Sequence, residues 1–199
     1  MVYKTSCIWD KRIQKRKAEK EYGRKLLKYA LFSEYGMREL PDLLYGPHGK
    51  PYFSKKEQPY FNICHTNRQI WLITGTGEVG IDVEEIRPIP VHLVKRVLSE
   101  EEKKQYDACL SEEEKNCLFF RFWTLKESFL KALGLGLTVP PSSISFTWDE
   151  NQQIICYQNI SEENWYFFQI QQNRTIVSVC VRSERDMWQG QWVECSFTK

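Results

Sequence analysis

Asp82 and Glu84 stand two apart in Gly80-Ile-Asp82-Val-Glu84. In a strand, such residues face the same side, with Ile81 and Val83 opposite. Neighbouring carboxylates raise each other's cost of ionisation, and a divalent cation removes that cost. Hard oxygen ligands suit magnesium, with manganese as an alternative. The plainer reading of the same pair is a solvent-facing hairpin edge. A second group, Trp123-Thr-Leu-Lys-Glu127-Ser-Phe-Leu-Lys131, places Trp123, Glu127 and Lys131 at four-residue steps on one helix face. Glu127 could then be a third metal carboxylate, one turn before a phosphate-seeking Lys131. A surface Glu–Lys pair is the plainer alternative. His65 ends the apolar run Phe61-Asn-Ile-Cys64-His65, where it is either a core histidine or a phosphate donor. Gly49-Lys50-Pro51 lies in a Gly/Pro-rich loop open enough to receive a flat base, with Lys50 reaching toward phosphates.

The elements that must position these residues follow from periodicity and breakers. Val2–Ile8 leans toward strand. From about Arg12 to Glu34, Tyr22, Leu26, Leu27, Ala30 and Leu31 recur at helical spacing, and Gly36 closes the run. Strands are expected over Tyr60–Cys64, Gln69–Thr74 and Val79–Glu85, with Gly75-Thr76-Gly77 as a hairpin-like link between the last two. Ser99-Glu-Glu-Glu102 and Ser111-Glu-Glu-Glu114 each read as a capping box. The first opens a short helix to about Cys109, and the second a longer one to about Leu133, closed by Gly134. Strands are then expected over Ile144–Trp148, Gln153–Tyr157, Trp165–Gln171 and Thr175–Arg182. This order predicts an α+β protein of two similar halves, residues 1–88 and 89–199, divided near Pro88 and Pro90.

Composition excludes several classes. Hydrophobic residues make up 42% and charged residues 27% of 199 residues, an ordinary globular balance. The seven cysteines are an odd number without a C-x-x-C pair, which argues against a disulfide framework or a zinc site. The N-terminus lacks the apolar run of a signal peptide, and no stretch approaches a membrane span. A cytoplasmic protein with reduced thiols is expected. Net charge is only +2, yet Lys11–Lys28 holds nine Lys/Arg against two Glu. That run suits a phosphate-bearing ligand, or is simply a solvated helix face.

Gly-Lys-Pro, Phe-Asn-x-x-His, Gly-Ile-Asp-x-Glu, Phe122-Trp-x-x-Lys-Glu-Ser-x-x-Lys131 and Gly134-Leu-Gly-Leu137, in this order, resemble the phosphopantetheinyl transferase superfamily. The match runs from about residue 46 to residue 146, and the length fits its Sfp-type branch. The resemblance implies a 4'-phosphopantetheinyl transferase fold packed as a pseudo-dimer, and a monomer. It implies magnesium-dependent transfer of the phosphopantetheine arm of coenzyme A to a serine of an apo carrier protein, releasing adenosine 3',5'-bisphosphate. Asp82, Glu84 and Glu127 match the metal ligands, with Glu127 also in the catalytic set. Lys131 matches a pyrophosphate contact that helps the leaving group depart. Glu102 aligns with a proposed general base, though as third residue after Ser99 it also closes a capping box. Gly49, Lys50 and Pro51 match the loop beside the adenine, and His65 a phosphate contact, with Cys64 where the family usually has Ser. Lys20 belongs to the basic residues expected at the 3'-phosphate. The carrier is expected to dock between Val91 and Phe120. Rival readings are a metal-dependent nuclease, for which a Lys is wanted where Ile86 stands, and a basic nucleic-acid module, which leaves the carboxylates without a purpose.

Overall fold

A computed structural model describes residues 1–8, 12–55, 57–183, 186 and 188–197. Lys11 of the basic run lies outside the described residues. The elements are β1 (Val2–Ser6), α1 (Arg12–Tyr35), β2 (Leu43–Tyr45), β3 (Pro51–Phe53), β4 (Tyr60–Thr66), β5 (Gln69–Gly75), β6 (Val79–Glu85), α2 (Val91–Val97), α3 (Glu100–Asp107), α4 (Glu112–Leu133), β7 (Ser145–Trp148), β8 (Ile154–Tyr157), β9 (Tyr166–Gln172), β10 (Thr175–Val181) and β11 (Val193–Cys195). The α+β class holds. Among the described residues, no helix is long and apolar enough to cross a membrane.

Two sheets share one strand order. In the first, β5 lies between β1 and β4, antiparallel to both, and β11 adds to β1 in parallel. In the second, β10 lies between β6 and β9, again antiparallel to both. Each unit runs strand, long helix, hairpin, with the last strand in the centre. α1 buries Tyr22, Leu26, Leu27, Ala30 and Leu31, the residues its periodicity selects, against Tyr3, Phe61, Ile70 and Leu72. α4 buries Phe122, Leu125 and Phe129 against Phe146, Phe167 and Ile176. Between the sheets, Ile81 and Val83 meet Trp71, Ile73, Val177 and Val179.

One expectation needs correction. Gly75-Thr76-Gly77 does not close a hairpin, because β5 and β6 belong to different sheets. Its turn is instead held by Asp186, whose carboxylate accepts from the Thr76 and Gly77 amides. Sheet membership changes between Gly75 and Val79, and β11 returns from the far end to the first sheet. The Pro-rich segment at 88–90 breaks the chain locally, but β6 before it already pairs with β10.

Both capping boxes form. Ser99 and Ser111 accept from the Glu102 and Glu114 amides, and each Glu returns a bond to its cap's amide. Gly134, at φ +71°, ends α4 in the left-handed region.

Candidate active site

Gly80 sets the geometry. A Cβ there would stand 1.9 Å from the Ser128 carbonyl oxygen and 2.5 Å from the Ala132 nitrogen. Only glycine lets β6 lie directly against the backbone of α4. Asp82 and Glu84 share the Gly80 face of the strand, so they are carried against the helix that bears Glu127 and Lys131. Asp82 is 5% exposed, which rules out the solvent-facing edge. A buried network fixes the helix register on the sheet. Thr124 Oγ1 and Ser178 Oγ lie 2.7 Å apart, and Gln169 Nε2 donates to Ser178 Oγ and the Arg121 carbonyl.

Lys131 Nζ donates to Asp82 Oδ1 at 2.5 Å. Burial works against the Lys131 ammonium, but Asp82 and then Glu127 outweigh it and hold the pKa above the ordinary lysine range. Burial pushes the Asp82 carboxyl up, a penalty Lys131 offsets. Glu127 is also pushed up, first by burial and then by the charge of Asp82. Glu84 is paired with Arg87 at 2.7 Å, and Arg87 in turn lies 4.7 Å over the Phe120 ring. Sequence reasoning missed Arg87, although its i+3 spacing from Glu84 was available.

Asp82 Oδ2 decides whether these residues suit a cation. It is buried and has no hydrogen-bond partner. An orphaned carboxylate oxygen near a second, half-buried carboxyl is costly, and a hard cation satisfies both. Among the described residues, no three His, Cys, Asp or Glu side chains already converge as a metal cage. Lys131 and Arg87 neutralise the acids instead. The donor chemistry fits magnesium, which uses few carboxylates and keeps waters.

A second feature is a pocket of about 400 Å³ on the other face of β4. Arg16, Lys20 and Arg24 of α1 line one wall, with Phe61, Ile63 and His65 of β4 opposite. Leu43, Tyr45 and Pro51 of the β2–β3 hairpin complete it. His65 lies 3.8 Å from Glu19. Strand alternation separates His65 from Cys64. Cys64 is buried on the opposite face, and burial, with Asp82 adding to it, pushes its thiol well above the ordinary range although Lys131 pulls the other way. The expectation that Cys64 faces the same ligand as His65 is therefore corrected. On that inner face, Asn62 Oδ1 accepts from the Ile81 amide at 3.0 Å, joining the edge strands of the two sheets.

Two further placements change. Lys50 turns inward, donating from Nζ to the Ala132 carbonyl at 2.7 Å and the Val79 carbonyl at 3.3 Å. Burial lowers its pKa to about 8. Gly49 supplies the positive φ of +80° for the loop, and Pro51 remains in the pocket wall. Glu102 is fully buried. One of its oxygens accepts from Lys126 and the Ser99 amide, and the other from the Phe146 amide. Lys126 also donates to the Val97 carbonyl and is itself fully buried. Through these bonds Glu102 joins α3, α4 and β7, and it closes the Ser99 capping box.

The 4'-phosphopantetheinyl transferase superfamily model matches residues 78–180, just over half of the 199-residue chain. The chain belongs to that superfamily. The match begins at β6 and ends in β10, so it contains the acidic cluster and leaves the basic pocket outside. Sfp from Bacillus subtilis (strain 168), a 4'-phosphopantetheinyl transferase, is 32% identical over 109 residues, 54% of this chain and 47% of that protein. AcpT from Escherichia coli (strain K12) is 36% identical over 115 residues, 56% of this chain and 55% of that protein. The chain spans about half the length of the curated relatives it matches. Holo-[acyl-carrier-protein] synthase from Thermotoga maritima superposes with a TM-score of 0.44 at 26% identity, over 52% of this chain and 61% of that one. The Helicobacter pylori synthase, solved with coenzyme A, gives 0.44 at 18% identity, over 53% and 99%.

Proposed function

We propose that this chain transfers the 4'-phosphopantetheine arm of coenzyme A to a serine of an apo carrier protein in a magnesium-dependent reaction. The observation that carries the reading is the Asp82–Lys131–Glu127 cluster with its buried, orphaned Asp82 oxygen, lying inside the region matched by the family.

Asp82, Glu84 and Glu127 would hold the metal. Once bound, magnesium would supply positive charge to the coenzyme A pyrophosphate. The remaining work belongs to the chain. Arg16, Lys20, Arg24 and His65 form a cationic pocket for the nucleotide phosphates, with Tyr45 and Pro51 beside the base. These cations converge on a bounded cavity rather than a stripe, which favours a compact anion over a nucleic-acid backbone. The serine oxygen attacks the β-phosphorus and forms the new P–O bond, while its proton passes to solvent water. The bond to the α-phosphate oxygen breaks, and adenosine 3',5'-bisphosphate leaves with that electron pair. Lys131 stabilises the departing charge. Orientation and electrostatics supply most of the rate in such transfers.

Val91 (76% exposed) and Leu110 (96% exposed) present apolar surface within the segment expected to dock the carrier. The repeated strand order supports a pseudo-dimer within one chain, and with it a monomer. The test mixes the protein with several apo carriers, coenzyme A and magnesium, and reads each carrier's intact mass. Gain of one phosphopantetheine on any of them supports the reading, and none on all refutes it. Asp82→Ala and Glu127→Ala are each expected to abolish transfer. Near-normal rates in either would remove the metal role.

A further inference from the structure

Lys50 ends the five-residue connection between β2 and β3. Its carbonyl accepts from the Gly46 amide at 2.9 Å, and Gly49 donates to the Gly46 carbonyl at the same distance. The loop is therefore a tight, internally bonded unit, and the strands it joins give Leu43, Tyr45 and Pro51 to the basic pocket. The Lys50 side chain leaves this wall and ends on two backbone carbonyls of the other unit. Val79 starts β6, three residues before Asp82, and Ala132 directly follows Lys131.

The Ala132 carbonyl belongs to the last turn of α4, whose carbonyls have no partner within the helix. The Gly134 amide serves Leu130 and Lys131. Ala132 is served by Lys50, a cation at the negative end of the helix dipole. Gly134 leaves room for the lysine stem, since a Cβ there would stand 3.3 Å from Lys50 Cδ. Beyond it, a Cβ added to Gly136, at φ +56°, would stand 3.5 Å from His48 Cβ. The loop at 46–50 and the turn after α4 are thus one packed block, with Lys50 Nζ at its centre.

We propose that Lys50 is a positioning residue that couples the nucleotide pocket to the acidic cluster, so that filling the pocket steadies the helix end presenting Glu127 and Lys131. This rests on the reading that the pocket takes the nucleotide of coenzyme A. It assigns Lys50 a role through Val79 and Ala132 instead of through the ligand. Lys50→Met keeps the stem and removes the donors.

The experiment compares the unsubstituted chain with Lys50→Met by coenzyme A titration calorimetry, steady-state transfer and amide hydrogen exchange over residues 46–51 and 130–137. In the unsubstituted chain, coenzyme A is expected to slow exchange in both segments together. In Lys50→Met, affinity should stay within about threefold, kcat should fall at least tenfold, and slowing at 130–137 should vanish while that at 46–51 persists. A tenfold or greater loss of affinity with both responses intact would make Lys50 a ligand contact and overturn the proposal. Unchanged kcat in a merely less stable variant would do so too. If Lys50→Met does not fold, the unsubstituted chain decides alone, since slowing confined to 46–51 refutes the coupling. Failure of the unsubstituted chain to bind coenzyme A refutes the functional reading itself, and the coupling with it.

Discussion

Gly80→Ala is the sharpest single test of how this chain builds its site. Ordinary contact begins near 3.4 Å, and the new Cβ would stand 1.9 Å from the Ser128 carbonyl oxygen. Relief requires β6 and α4 to separate by about 1.5 Å, the difference of the two. Both atoms met are backbone, so no side-chain rotation helps. Overpacking of this kind costs about 1–3 kcal/mol. The Thr124–Ser178 bond, now 2.7 Å, would be pulled beyond hydrogen-bonding range, adding about 1 kcal/mol. A total of about 2–4 kcal/mol is a large share of the roughly 5–15 kcal/mol that holds a typical domain folded. Gly77→Ala is the matched control, because its Cβ would meet nothing nearer than 3.6 Å. Urea unfolding should show Gly80→Ala losing about 2–4 kcal/mol, and Gly77→Ala within about 0.5 kcal/mol of the parent. In the folded fraction, a misplacement of about 1 Å between Asp82 and Glu127 should lower transfer about 100-fold. Equal stability of the two variants would refute the claim that Gly80 sets the helix–strand spacing.

Three further outcomes are expected. Lys126→Met leaves the Glu102 carboxylate buried without its cation and should cost about 3–5 kcal/mol, whereas Glu102→Gln with Lys126→Met should cost clearly less than the two single changes added. Additive losses in urea would show the pair to be uncoupled. Burial holds the Cys180 thiol well above its ordinary range, so the folded chain keeps a proton that the unfolded chain releases near pH 8.5. That contribution is complete below pH 8.5 and lost above it at about 1.4 kcal/mol per pH unit, reaching about 2 kcal/mol by pH 10. Cys180→Ala should flatten the alkaline fall by that amount, and parallel profiles would count against it. Asn62→Ala leaves the buried Ile81 amide unpaired and should cost about 1–3 kcal/mol, measured by urea midpoint.

The elements were legible where local rules dominate. α1, both capping boxes and β6 follow from periodicity and cap chemistry, and tertiary packing agreed with each. The acidic cluster was legible because period two in β6 and period four in α4 each place their residues on one face. What escaped depends on contacts between residues distant in the chain. Lys50 reads locally as a loop cation, and nothing nearby reveals that it ends on Val79 and Ala132. Glu102 reads locally as base or cap, and nothing nearby reveals its contact with Lys126, 24 residues away. The Gly75–Gly77 link resembles a hairpin turn locally, but the β6–β10 ladder of seven paired positions outcompetes any pairing with β5.

The location of the family match sharpens the division of labour. Residues 78–180 hold Asp82, Glu84, Glu127 and Lys131, and the pocket of Arg16, Lys20, Arg24 and His65 precedes them. The cluster and the pocket therefore rest on different sheets, and a reaction between a nucleotide in one and a carrier at the other requires that they keep register. Three devices serve that register. Asn62 bonds the Ile81 amide across the sheet edges, Cys64 packs its thiol among the inter-sheet side chains, and Lys50 ties the pocket loop to the start of β6 and the end of α4. All three cross the β4–β6 junction or run beside it, and none touches the atoms that would react.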